Sequence, residues 1–260
     1  MPEARLLAEG ELTIIGRLAG SSNATLLCTV TTTDGTDLQC VYKPVAGERP
    51  LWDFPTGTLA AREVAAYELS ELLGWGLIPT TVWREFGPHG EGSCQRWIDE
   101  GDFGALVDVV HPGERLQGWR LVLTGESEYG APVSLVHADD PDLHRMSVLD
   151  VLLNNADRKA GHLLRDESGR IWGIDHGLTF NEEPKLRTVL WGWAGERVPE
   201  ALLHDLRGLA DRWEQVELAL SGFLDGYELE ALEQRLERLV STGRLPKPDA
   251  QRPAIPWPLY

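Results

Sequence analysis

Apolar and polar positions alternate along the first third of the chain. The stretches ELTIIGRLAG, NATLLCTVTTT and LQCVYKPV, the last two separated by the turn DGTD, are rich in Thr, Val and Ile and predict three strands. Pro55 to Gly57 interrupts that pattern, and from Thr58 the period lengthens. Leu59, Val64, Tyr67, Leu69, Leu72 and Leu73 follow helical spacing up to the stop signals Gly74 and Gly76. Two further strands, TTVWREF and SCQRWI, are joined by the turn GPHGEG. This β-β-β-α-β-β order predicts a small twisted sheet with one helix laid on it.

Beyond Asp99 the texture predicts helices. A polar, Gly-containing stretch from Leu116 to Val136 reads as a hairpin or a lid. Asp140, Pro141 and Asp142 supply an N-cap, a first-turn proline and a first-turn acid for a helix running to about Leu153. One late helix is predicted from Pro199 through Trp213, and a second carries Leu229, Leu232, Leu236 and Leu239. Pro246, Pro248, Pro253, Pro256 and Pro258 predict an extended tail. The expected architecture is α+β: a sheet-plus-helix N-lobe over 1–98, a larger and mainly helical C-lobe over 99–244, and the tail over 245–260.

Charge narrows the partners. The 260 residues carry 24 Lys and Arg against 41 Asp and Glu, a net charge of −17. Nucleic acid and anionic membrane surfaces both recruit basic side chains, so this chain is repelled on average by each. No nucleic acid and no stable membrane association are expected. With no run approaching the roughly 18 apolar residues of a membrane span and no basic leader, a cytoplasmic protein is expected. Cys28, Cys40 and Cys94 are odd in number and lack metal-ligand spacing, which favours reduced, buried thiols, although facing strands could bring Cys28 near Cys40.

Two stretches carry chemistry. In LLNNADRKAGHLLRDESGRIWGIDHGLTF, a polar loop holding Asp157 leads into a short apolar strand, a Gly turn, a second strand and then Asp175. A two-strand ribbon with an acid at each end is what phosphoryl transfer needs: one carboxylate to take or orient the attacking proton, another to hold a divalent metal bridging the phosphates. In VYKP, Lys43 is one of four lysines and sits among apolar neighbours, where a cation is costly without a counter-charge. Glu63 on the following helix is the natural partner and Glu68 the alternative.

With VYKP, REVAAYELSELLGWGLIPTT, GSCQRWIDEG and NNADRKAGHLL followed by GIDHGLTF, the chain resembles the phosphatidylinositol 3- and 4-kinase-related superfamily. It is most similar to the type II phosphatidylinositol 4-kinases and to small actinobacterial proteins of unassigned substrate. The four motifs span Gly16 to Phe180 in the order that a two-lobed protein-kinase-like fold requires.

The resemblance implies ATP in the cleft between lobes, with Lys43 on its phosphates and Glu63 holding Lys43. It implies the turn GSSNAT, with Ser21 and Ser22, closing over the phosphates, and Gln95, Trp97 and Ile98 in a hinge that reads adenine. It makes Asp157 the catalytic acid and Asp175 the ligand of Mg²⁺ or Mn²⁺, and it turns the segment through Trp191 and Trp193 toward the acceptor.

One position departs from the family: five residues after Asp157, where a metal-ligating Asn belongs, stands His162. Imidazole favours Zn or Mn over the hard Mg²⁺. Asn154 or Asn155 could substitute only if the loop bends unusually. The implied function is ATP-dependent phosphoryl transfer to a hydroxyl. The charge favours a soluble small molecule, or a protein Ser/Thr as in the HipA-type kinases, over a membrane lipid. The alternative is a nucleotide-binding pseudokinase acting as a regulatory module, and the Pro-rich tail with Trp257 is a candidate docking element for a protein partner.

Overall fold

A computed structural model of the chain describes residues 3–18, 23–31, 35, 37–49, 51, 54, 58–114, 117–127 and 129–259. Five antiparallel strands form the first sheet in the order β1-β2-β3-β5-β4: β1 Leu12–Arg17, β2 Leu26–Thr31, β3 Asp37–Pro44, β4 Thr81–Arg84 and β5 Gly92–Arg96. These are the five predicted strands, several of them shorter than the apolar runs that announced them.

Strand alternation gives the sheet two different faces. Cys40 and Tyr42 of β3 and Cys94 of β5 are fully buried with Leu6, Leu7, Cys28 and Val30 in a cluster of their own. The helix that supplies Leu6 and Leu7, α1 (Glu3–Glu9), was not predicted; its seven residues offer only those two apolar contacts for a period to show. Lys43 and Ser93, directly paired across β3 and β5, lie on the opposite face.

Cys28 and Cys40 are cross-strand neighbours, and all three cysteines are free and buried. Burial pushes the Cys28 thiol up to about 12, which leaves it unreactive at neutral pH.

Helix α2 (Leu59–Leu72) ends as predicted, with Gly74 and Gly76 both at positive φ. It is buried along most of its length, including the charged Arg62 and Glu63.

The region after Asp99 corrects the helical expectation. β6 (Val107–Val110), β7 (Trp119–Glu126) and β8 (Pro132–Ala138) form a second antiparallel sheet in the order β6-β8-β7. Over its described residues the Leu116 to Val136 stretch is thus a pair of antiparallel strands, β7 and β8, rather than a lid, and β6 adds a third strand.

Helix α3 (Pro141–Leu153) starts at the predicted cap, where Asp140 Oδ1 accepts the Asp142 N–H at 2.8 Å. The late helix expected from Pro199 through Trp213 is interrupted. α4 (Glu200–Ala210) stops at Asp211, and α5 (Trp213–Leu220) starts in a new direction after Arg212. α6 (Gly226–Thr242) buries its leucine stripe as predicted. Among the described residues no helix is long and apolar enough to cross a membrane.

Candidate active site

The ribbon is built as its sequence suggests. β9 (Leu163–Arg165) and β10 (Ile171–Gly173) pair antiparallel, with Gly173 opposite Leu163. The pairing continues one step beyond the strands, where Ile174 N–H donates to His162 O at 3.0 Å. That register brings the residue after Ile174 beside His162: His162 Nε2 is 3.3 Å from Asp175 Oδ2. Asp175 takes a left-handed backbone, φ 59°, a conformation that aspartate tolerates better than most side chains.

Three segments converge on Asp175. Lys43 Nζ, brought by β3, is 2.7 Å from Asp175 Oδ1 and 2.5 Å from Glu63 Oε1. Glu63, not Glu68, is therefore the partner of Lys43. Its second oxygen accepts the His176 N–H at 3.0 Å, so one carboxylate of α2 fixes both the lysine and the backbone following Asp175. The adjacent Arg62 donates to Thr179 O and pairs with Glu228 of α6, tying α2 to the same loop from a second point.

Burial alone would lower the Lys43 pKa, but the Asp175 and Glu63 carboxylates overcome it and raise the value, so the ammonium persists. The Lys43 charge holds the Asp175 carboxyl below the usual carboxylate range. Glu63 moves up, because burial outweighs the pull of Lys43 and Asp175 adds like charge.

Asp157 stands in the polar loop, its N–H donated to Asn155 Oδ1 at 3.0 Å and its Oδ2 lying 3.5 Å from Lys159 Nζ. Burial raises its pKa against the opposing pull of Lys159. Burial also lowers His162 to about 4, so its imidazole is neutral across physiological pH. The side chains of Asn154 and Asn155 are both engaged within the lobe. Asn154 donates to Asn181 O and Glu183 O and accepts from Lys185 N–H, and Asn155 donates to Asp150 Oδ1.

The loop is organised by two residues not singled out in the sequence. Arg158 and Asp150 are an ion pair at 2.9 Å with no exposed side-chain surface on either partner. Arg158 also donates to Ile174 O at 3.0 Å and contacts His176 Nε2 at 2.6 Å, so it joins α3 to both acidic segments. Thr188 Oγ1 donates to the other Asp150 oxygen at 3.0 Å. The available signal was a lone acid in the apolar run SVLDVLL of α3. His176 is fully buried in this network.

Of the residues expected to form a hinge, Gln95 donates to Thr81 Oγ1 at 2.8 Å and Ile98 is buried. The Trp97 backbone N–H is donated to Gln39 O at 3.0 Å. Ser21 and Ser22 lie outside the described residues.

The tryptophan expectation is corrected. Trp193 is 1 % exposed, stacked on His144, and part of the core rather than turned toward an acceptor, while Trp191 is buried and donates its Nε1–H to Ala254 O. Trp193 belongs to the main apolar cluster of the lobe. Among the described residues no three His, Cys, Asp or Glu side chains converge as a ready metal cage.

A family model described as phosphatidylinositol 3- and 4-kinase matches residues 141–219, the span from α3 through the Asp157 loop, the ribbon and Asp175 into α5. The chain belongs to this kinase-like superfamily. Protein Rv2133c of Mycobacterium tuberculosis (strain ATCC 25618 / H37Rv) is 46 % identical over 268 residues, covering 99 % of this chain and 95 % of that protein. The solved structure of hydra Fam20 with sugar matches with a TM-score of 0.57 at 15 % identity, over 92 % of this chain and 87 % of that one. The likeness establishes a two-lobed kinase-like fold.

Proposed function

We propose that the chain is an ATP-dependent phosphotransferase acting on a hydroxyl acceptor. The observation that carries this reading is Lys43, a scarce cation held between Glu63 of α2 and Asp175 at the end of the ribbon. In that position its ammonium would meet nucleotide phosphates, with Glu63 keeping it oriented. Asp157 would accept the proton of the acceptor hydroxyl as its oxygen bonds to the γ-phosphorus and the bridging P–O bond to ADP breaks. A carboxylate with a raised pKa is the better base, a contribution of about 10²–10⁴ in rate. Adenine would lie against the Gln95 to Ile98 segment.

Asp175 Oδ2 and His162 Nε2 offer a carboxylate and a neutral imidazole, a donor pair that fits Mn²⁺ better than Mg²⁺. With no third His, Cys, Asp or Glu joining them among the described residues, phosphate oxygens and water would complete the shell. The ion's part would be to neutralise charge on the phosphates.

The net charge of −17 supports a soluble alcohol or a protein Ser/Thr as acceptor, and a cytoplasmic setting, over a membrane lipid. Trp257, 85 % exposed, is the large apolar side chain of the tail that a protein partner would cover. His162 in the amide position favours a second reading, a pseudokinase that binds nucleotide without turnover. ADP release and thermal shift with ATP and either metal separate the two. Turnover supports transfer, a shift without turnover supports the pseudokinase, and neither response overturns both.

A further inference from the structure

A cavity of about 730 Å³ opens between α6, the segment 182–187 and the returning tail. The described residues that line it include none of Lys43, Glu63, Asp157, His162 or Asp175, so it is a separate site. Its volume falls in the range of small-molecule pockets, about 300–1,000 Å³. Part of the wall is apolar, formed by Val151, Trp191, Leu239 and Leu245.

The charge of the remaining wall is opposite to that of the protein. Seven basic side chains line the cavity against three acidic ones, in a chain with 24 bases, 41 acids and only four lysines, two of which, Lys185 and Lys247, are here. Arg252 and Lys185 each have an acidic neighbour, Asp249 and Glu183. Arg235, Arg238, Arg244 and Lys247 have no carboxylate within ion-pair distance among the described residues.

Arg235 donates its Nε–H to Leu152 O at 2.9 Å and Nη1–H to Asn181 O at 3.3 Å, and its buried Nη2 has no hydrogen-bond partner. Burial lowers its pKa to about 10. A desolvated guanidinium group without an anion is costly. Acids outnumber bases everywhere else, so leaving these cations unpaired around one cavity creates a local positive field suited to an anion.

We propose that this cavity binds a small amphiphilic anion, a phosphate or carboxylate on an apolar body. The acidic group would meet Arg235, Arg238, Arg244 and Lys247, and the apolar body would cover Trp191, Leu239 and Leu245. The site shares its frame with the Asp157 loop. Asn154 holds Glu183 O and Lys185 N–H, Arg187 N–H donates to Asn155 O at 2.9 Å, and Arg158 N–H donates to Arg187 O at 3.0 Å. An occupant would thus brace the backbone on which Asp157 stands, although binding itself does not require that the protein transfer phosphate.

The test is calorimetric titration of the full chain with 1-naphthyl phosphate, 1-naphthol and inorganic phosphate. One equivalent of 1-naphthyl phosphate should bind, at least tenfold more tightly than either half molecule. Arg238→Glu with Lys247→Glu, both at exposed positions, should weaken it at least tenfold at unchanged thermal stability. Sedimentation with phosphatidylcholine vesicles doped with phosphatidylinositol 4-phosphate tells the two sources of phosphate apart. Capture lost on charge reversal supports the site and assigns the phosphate to a headgroup; absence of capture with naphthyl phosphate binding supports a soluble ligand. No binding of 1-naphthyl phosphate, or binding unaffected by the double reversal, overturns the proposal whatever the outcome of ATP turnover.

Discussion

Arg158 Nη2 lies 2.9 Å from Asp150 Oδ1, and neither side chain has any exposed surface. The pair joins the middle of α3 to the loop that carries Asp157. Removing one partner leaves the other as an uncompensated buried charge, which costs about 3–5 kcal/mol. Asp150→Ala is therefore expected to lower urea-unfolding stability by about that amount. A loss below about 1 kcal/mol would show that Arg158 finds another anion or water.

Lys43→Met removes the cation between Glu63 and Asp175 and leaves two carboxylates facing one another. Glu63, raised already by burial, should rise further. A raised carboxyl contributes stability below its unfolded pKa and loses it as pH rises toward the folded value. The variant should therefore lie furthest below wild type at neutral pH and approach it in acid. Thermal unfolding from pH 4 to 8 checks this, and a pH-independent difference would argue against the charge cluster.

His162 and His137 are each held near a pKa of about 4, chiefly by burial. Both are protonated more readily in the unfolded chain, at about 6.5. The stabilisation is fully present above that value and is lost as pH falls toward 4, by about 3 kcal/mol per histidine. His162→Gln should make the acid side of the stability profile shallower by one proton. A profile parallel to wild type would indicate that His162 is solvated.

His162→Asn restores the amide that the superfamily resemblance leads one to expect. Replacing imidazole nitrogen by amide oxygen should shift metal preference from Mn²⁺ toward Mg²⁺. The ratio of nucleotide-induced thermal shifts with the two ions is the readout. An unchanged ratio would place the ion away from residue 162.

Much of this site is legible in the sequence because it depends on local pattern. Lys43 follows from one lysine in an alternating strand, Glu63 from the first turns of the next helix, and the meeting of His162 with Asp175 from the short ribbon between them. Asp150, Arg158 and Arg62 are not legible in this way, because their partners come from other elements and no periodicity reports them.

The second sheet escaped for a related reason. β7 exposes most of its residues, so its alternation is weak, and β6 is only four residues long. The direction of Trp193 is not legible either, because a tryptophan near a functional loop is as compatible with the core as with a surface; here His137 and His144 flank its ring in the core.

If Asp157 acts on an acceptor presented with ATP held by Lys43, removing its carboxylate abolishes turnover and leaves nucleotide binding intact. The most direct measurement is Mn²⁺-dependent ADP release, with acceptor candidates present, from wild type and Asp157→Asn under conditions where both show the same ATP-induced thermal shift. Release by wild type and a loss of about 10²–10⁴ in the variant are expected. Equal release from the two proteins, or no ATP-induced shift in either, would contradict it.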